Sequence, residues 1–331
     1  MKLHQDRALF AELIHRASRP VDQGGLGINA AFIEKDYWIT RSLYLLSKSA
    51  SSTCAVFKGG TSLSKIFHIG SRFSEDIDIA IIRNENMSDA GLKTMIRNTE
   101  KAMSDGLTHI LKPGITSKGS RYRKTFYIYA QIPGLMPIGS VLSGQLLIEI
   151  NSFANPFPYS QQKVSCFLKD YLLIMGYSDI IDEYDFADFA INTLDKRTTM
   201  TEKIISLIRF SLAKDPIPEL LAKIRHFYDL YYLMQDTDCI EYVNSSNFRM
   251  NLTSLIEHDK SLFEKPDGWR IRSFSDSPLF SDWHSLWREL SPRYKSELPT
   301  LAYQAIPAID DVQTSLGDLF VKVSMQLGLD N

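Results

Sequence analysis

The stretch EDIDIAII (75–82) sets two aspartates one residue apart in a run that otherwise alternates with isoleucine. That alternation predicts a strand with one apolar face. Side chains two apart share a face, so Asp76 and Asp78 project together while Ile77, Ile79 and Ile81 pack behind them. Two carboxylates on one rigid face repel unless a cation lies between them. Hard oxygen ligands on a fixed scaffold suit Mg²⁺, with Mn²⁺ as the alternative. A third carboxylate stands in LLIEIN (146–151), where Glu149 lies between Ile148 and Ile150 and faces away from them. If its strand neighbours that of residues 76–82, three carboxylates meet, the minimum set for a two-metal phosphoryl-transfer site.

FKGGTSLSKIF (57–67) stands ahead of the aspartates. Gly59 and Gly60 carry no Cβ and let backbone N–H groups approach phosphate oxygens. A helix expected from Thr61 turns its positive N-terminal end toward them. Thr61 and Ser62 add hydroxyl donors, and Lys65, one turn on, is placed to reach a phosphate. Alone, DxD is equally an edge-strand pair, and two glycines before a helix are equally a tight turn. The order strand, GG[ST], helix, DxD strand and later acidic strand is what specifies a nucleotide site.

The remaining chain bounds the class. Its 331 residues, 44% hydrophobic and 23% charged, are ordinary globular values for one large or two smaller domains. A net charge of −2 from 37 basic and 39 acidic residues argues against a histone-like coat. Cys54, Cys166 and Cys239 lie far apart without CxxC spacing, as expected of thiols in a reducing compartment. The opening MKLHQDRALFAELIHRAS is charged throughout and reads as no signal peptide. No apolar run approaches the roughly 18 residues of a membrane span, so a cytoplasmic protein without a membrane partner is expected.

Periodicity predicts helices at 6–18, 29–49 (with Asn29 as N-cap) and 88–112, and strands at 54–60, 75–82, 123–132 and 144–153, the last two joined by a Pro/Gly-rich loop. Beyond about residue 165 amphipathic helices follow at 199–214, 218–236, 279–290 and 309–328. The expected fold class is α+β: a mixed sheet with flanking helices over 1–165, then a mainly helical domain over 166–331 that completes the nucleotide and acceptor cleft.

At EKDYWITRSL (34–43), FKGGTSLSKIF, SRFSEDIDIAI (71–81), LLIEIN, TEKIISL (201–207) and KIRHFYDLYYL (223–233) the sequence resembles the AbiEii/AbiGii-type toxins. That group includes the MenT toxins and sits within the nucleotidyltransferase superfamily of DNA polymerase β. The resemblance implies a polymerase β-like mixed sheet bearing the metal site. Gly59, Gly60 and Thr61 then correspond to the phosphate loop, Asp76 and Asp78 to the metal ligands, and Glu149 to the third acidic position. Lys203 matches the lysine on the first helix of the second domain, and Asp229 the aspartate of the YDLY-like segment. The chain departs from the pattern with Leu146-Leu147, where a basic residue is common, and with Arg225-His226, where Arg-Asp is common.

Read as residues alone, Lys203 is equally a surface lysine pairing with Glu202 or Asp229. Asp229 lies among Tyr228, Leu230 and Tyr231, where an unpaired carboxylate is costly, so Lys203 or Arg225 is expected beside it. His226 is expected on the helix surface or in the core, and Glu34 and Lys35 as buttresses of the core. In SKGSRYRKTFYIY (117–129), Lys118, Arg121, Arg123 and Lys124 interleave with Tyr122 and Phe126, a pattern suited to an RNA backbone and stacked bases, or equally a solvated strand entry.

The function expected is Mg²⁺-dependent transfer of NMP from an NTP to an acceptor hydroxyl, with the 3′ end of tRNA as the leading acceptor. By resemblance this serves a toxin of a toxin–antitoxin or phage-defence system, relieved by a cognate antitoxin. The alternatives are an NTP-binding regulatory protein with little transfer activity, and nucleotidylation of a protein or small molecule.

Overall fold

The computed structural model describes residues 1–84, 86–135 and 144–329. The chain divides into two compact units: Met1–His68 with Phe73–Leu194, and Ile69–Arg72 with Asp195 onward. The first contains α1 (Arg7–Ala17), α2 (Ala30–Ser47), β1 (Ala55–Lys58), α3 (Gly59–Lys65), β2 (Asp76–Ile81), α4 (Asp89–Met103), β3 (Thr108–Ile110), β4 (Ser117–Lys118), β5 (Tyr122–Ile128), β6 (Gln145–Asn151), β7 (Tyr159–Lys163), α5 (Phe167–Ile174), α6 (Ser178–Glu183) and β8 (Ala190–Leu194). The strands form one mixed sheet in the order β3-β5-β6-β2-β1-β8-β7, with β4 added to β5. β1 runs antiparallel to β2 and parallel to β8, whereas β2 runs parallel to β6.

The expected boundary at 165/166 therefore moves to 194/195. β7 and β8 pair with each other, β8 pairs with β1, and α5 packs on α2, so residues 159–194 complete the first unit. The expected helix over 88–112 ends at Met103. Gly106 follows in a left-handed turn (φ +76°), and Thr108–Ile110 becomes an edge strand on β5. The loop expected between β5 and β6 lies, over 136–143, outside the described residues.

The second unit holds α7 (Lys196–Ser211), α8 (Pro216–Leu221), α9 (Ile224–Leu233), α10 (Thr237–Val243), α11 (Ser246–Leu262), α12 (Pro278–Ser281), α13 (Trp283–Leu301) and α14 (Ile309–Leu327). The Asp195 carboxylate caps α7 by accepting from Arg197 N at 2.8 Å. The helix expected over 218–236 is two, broken between Leu221 and Ile224. Among the described residues no helix is long and apolar enough to cross a membrane.

α2 is the central support of the first unit. Asn29 caps it, accepting from Ala31 N at 2.9 Å, and every residue from Ala31 to Leu43 is buried. That includes three consecutive charged residues, each engaging a different segment. Glu34 accepts from Ile132 N at 2.7 Å, and Lys35 pairs with Glu75, the residue before β2. Asp36 pairs with Lys65 of α3 and accepts from Phe167 N at 3.0 Å. The other oxygen of Glu34, Oε2, is buried without a hydrogen-bond partner. Burial pushes this carboxyl up to about 7, against the smaller pull of the Ile132 N–H and Arg7.

The folded protein thus keeps a proton on Glu34 that the unfolded chain releases above about pH 4.3. Stability should fall as pH rises through the interval from about 4 to 7, by up to ~3 kcal/mol, and level off above it. Glu34→Gln should flatten that dependence and raise stability at pH 8, as measured by urea unfolding at several pH values.

Candidate active site

Alternation along β2 buries Ile77, Ile79 and Ile81 and leaves Asp76 and Asp78 half-buried on the opposite face. β6 repeats the pattern: Leu146, Ile148 and Ile150 are buried and Glu149 is half-buried. The parallel register sets Asp78 directly beside Glu149, so all three predicted carboxylates lie on one sheet face.

β5 brings two further groups to that face. Lys124 stands opposite Glu149 in the antiparallel register, and its Nζ lies 2.7 Å from Glu149 Oε1. Tyr122 Oη donates to Glu149 Oε2 at 2.9 Å. Burial, then the Glu149 charge, with smaller contributions from Asp78 and Asp76, push the Tyr122 hydroxyl well above the ordinary phenol range. Across the other edge of β2, Lys58 occupies the register position opposite Asp78. Directly opposed residues share a face, so Lys58 joins the carboxylates. Among the described residues, no group of three or more His, Cys, Asp and Glu side chains is gathered closely enough to hold one ion.

Gly59 fits its position for two physical reasons. Its φ of +82° lies in the left-handed region, and a Cβ there would collide with the Asp78 carboxylate. The chain therefore passes as bare backbone against the metal-ligand candidate. α3 starts at Gly59 rather than Thr61, so both glycines lie in its first turn. Thr61, expected as a phosphate donor, is buried and donates its hydroxyl to the Asp76 carbonyl. Ser62 Oγ donates to Gly59 O at 2.8 Å. Lys65 is buried in its pair with Asp36, so its ammonium fixes α3 to α2 in place of the expected phosphate contact.

The basic and aromatic stretch at 117–129 is divided by the strand period. Tyr122 and Lys124 go to Glu149, whereas Arg123 turns to the other face and pairs with Glu100 of α4 at 2.5 Å. Phe126 is buried, and Lys118 and Arg121 stay exposed. It is not one basic surface.

In the second unit Asp229 of α9 is buried between two cations. Arg72 reaches it with Nε and Nη2, both at 2.7 Å, and Lys203 of α7 with Nζ at 2.8 Å. Lys203 is thus buried rather than a surface lysine and is the expected partner of Asp229, whereas the other candidate partner, Arg225, goes to Glu297 at 3.1 Å. Burial alone would raise the Asp229 carboxyl, but Arg72 and Lys203 outweigh it and hold it below the usual carboxylate range. His226 is partly buried with Nδ1 unpartnered; burial, then Lys203 and Lys223, depress its pKa, so it is a neutral ring. Arg72 escaped the sequence reading because its partner lies 157 residues away. Lys58 left a signal, since it immediately precedes the two glycines.

A profile of the family described as "Nucleotidyl transferase AbiEii toxin, Type IV TA system" matches residues 41–315. The chain belongs to the AbiEii nucleotidyltransferase toxin family. It is accordingly a nucleotidyltransferase toxin of a type IV toxin–antitoxin system, with an NTP substrate, a divalent metal requirement and an antitoxin partner as properties of that family. Among solved structures, the MenT4 nucleotidyltransferase toxin of Mycobacterium tuberculosis H37Rv is similar at 17% identity and a TM-score of 0.57, over 96% of this chain and 89% of that one. This likeness concerns the fold. JHP933 of Helicobacter pylori aligns with a TM-score of 0.44 at 13% identity, over 89% of this chain and 94% of its own. No curated protein sequence matches significantly.

Asp229 is a charge centre whose removal leaves two buried cations, Arg72 and Lys203, facing each other. Asp229→Asn should cost about 3–5 kcal/mol, read from the urea midpoint. Because the folded carboxyl titrates below the unfolded value of about 3.9, its contribution is complete above pH ~4 and is lost as pH falls further, when the unfolded chain takes up the proton first. The variant should lack that acid limb.

Proposed function

We propose that the protein is a Mg²⁺-dependent enzyme that moves NMP from an NTP to the 3′-terminal hydroxyl of tRNA, and so arrests translation in growth control or phage defence. The observation that carries this reading is the carboxylate face, where Asp76 and Asp78 project together beside the bare backbone of Gly59. Two carboxylates on one rigid strand, with the backbone of Gly59 packed against the carboxylate of Asp78, form a donor set suited to Mg²⁺ or Mn²⁺. When bound there, the ion supplies Lewis-acid charge to the acceptor oxygen and the triphosphate.

The residues divide the work. Asp76 and Asp78 hold the ion, and the Thr61 hydroxyl fixes the backbone of Asp76. Without a Cβ at Gly59 and Gly60, the main chain at Gly59, Gly60 and Thr61 would approach the phosphates closely. Lys65 positions α3 through Asp36. Lys203 offsets charge during transfer, with Asp229 as its fixed counter-ion. The acceptor oxygen forms a bond to the α-phosphorus, the bond to the β-phosphate oxygen breaks, pyrophosphate departs and the hydroxyl proton passes to solvent.

A protein hydroxyl is the second acceptor reading. It is favoured by the division of the 117–129 stretch, in which three of the four basic residues are engaged by acids of the same chain: Arg121 by Asp89, Arg123 by Glu100 and Lys124 by Glu149. The experiment supplies Mg²⁺ and each α-³²P NTP with total tRNA, protein lysate or no acceptor. Label should appear on tRNA and fall by roughly 10²–10³-fold or more in Asp78→Asn, and vanish in Asp76→Ala/Asp78→Ala. Label on protein alone would replace the acceptor, and NTP binding without label would make the protein a nucleotide-binding regulator.

A further inference from the structure

Glu149 is engaged on both oxygens by the strand beside it. Lys124 takes Oε1 at 2.7 Å and Tyr122 takes Oε2 at 2.9 Å. The Lys124 contact is built into the β5–β6 register, because the two residues are directly opposed and such pairs hold their Cβ atoms about 5 Å apart. Resting on the nucleotidyl-transfer reading above, we propose that Glu149 is a positioning residue rather than a metal ligand. It fixes Lys124 on the carboxylate face, where the ammonium supplies the positive charge that a second metal ion would otherwise bring.

Three observations support this division. First, a metal ligated by Glu149 would share a carboxylate whose two oxygens are already engaged by an ammonium and a phenol, and two cations on one carboxylate, within a few ångströms, repel. Second, Mg²⁺ is commonly held by one or two carboxylates together with waters and substrate phosphates, a requirement Asp76 and Asp78 meet alone. Third, the face already carries compensation for more than one carboxylate. Lys58 stands opposite Asp78, and Lys124 opposite Glu149. Three carboxylates and two ammonium groups leave a single net negative charge, which one divalent ion turns positive, the sign a triphosphate needs. Tyr122, hydrogen-bonded to the second oxygen, locks the carboxylate against rotation and so fixes where Lys124 points.

The test separates metal affinity from transfer. Mn²⁺ binding to the full chain is measured by the electron paramagnetic resonance signal of the free ion for the wild type, Glu149→Gln, Lys124→Met, Lys124→Arg and Asp78→Asn. Transfer is measured in parallel, and circular dichroism melting verifies folding. The isosteric Glu149→Gln keeps an acceptor for Tyr122 and guards against misfolding. Glu149→Gln and Lys124→Met should hold the Mn²⁺ dissociation constant within about threefold while transfer falls at least ~30-fold. Lys124→Arg should recover transfer to within about tenfold of the wild type, and Asp78→Asn should weaken Mn²⁺ at least about tenfold. A comparable tenfold weakening in Glu149→Gln would make Glu149 a ligand and overturn the proposal. So would a tenfold tightening in Lys124→Met, which would mark Lys124 as a competitor of the metal. Absence of Mn²⁺ binding by the wild type would defeat the metal-dependent reading itself, and this inference with it.

Discussion

Three adjacent ionisable side chains buried in one helix organise the first unit. Glu34, Lys35 and Asp36 cannot face one side of α2, because successive helical residues are separated by about 100°. Each therefore engages a different neighbour: Ile132 beyond β5, Glu75 ahead of β2, and Lys65 with Phe167 at α3 and α5. Breaking one buried pair by deleting a partner typically destabilises by about 3–5 kcal/mol, so these contacts hold their segments in one arrangement. Two of them bear on the carboxylate face. Glu75 is covalently next to Asp76, and Lys65 closes the helix that Gly59 opens. The position of the glycine backbone against Asp78 is thus fixed from behind, by ion pairs that touch neither residue.

The face itself is an electrostatic compromise. Aspartate is depleted in strands, and two of them projecting together oppose each other. The isoleucines behind them repay the difference, since Ile77, Ile79, Ile148 and Ile150 are all fully buried, each worth roughly 1.5–3 kcal/mol of apolar burial. The like charges in front are moderated by Lys58 and Lys124 from the two flanking strands. The apolar side holds the strands, and the polar side is free to carry chemistry that contributes nothing to folding.

Much of this was legible in the chain because β2 and β6 keep a strict period of two, which fixes the facing of Asp76, Asp78 and Glu149 without knowledge of the partners. Where the period was weak, the sequence misled. β7 (YSQQK) is a polar edge strand and β8 (AINTL) is only five residues long, so neither offers an alternating apolar face to read, and the expected domain boundary falls between them. The 88–112 segment carries helical spacing past Met103, but the left-handed turn at Gly106 ends it.

Side-chain partners were the least legible layer, and the reason is physical. A lysine beside a phosphate-loop motif looks the same whether its ammonium meets a nucleotide or a carboxylate 29 residues upstream, as that of Lys65 does. Lys203 and Asp229 were expected together from the cost of an unpaired buried carboxylate. Local reasoning had no means of supplying Arg72, although its bidentate grip is the stronger half of the arrangement. The same limit governs the stretch at 117–129. Its charges are interleaved in sequence as a nucleic-acid surface would have them, yet a strand sends neighbouring residues to opposite faces. Lys124 and Arg123 are adjacent in the chain and serve different acids on different sides of the sheet. A basic run therefore implies a basic surface only when its backbone conformation keeps the charges on one side, and here the period of the strand divides them.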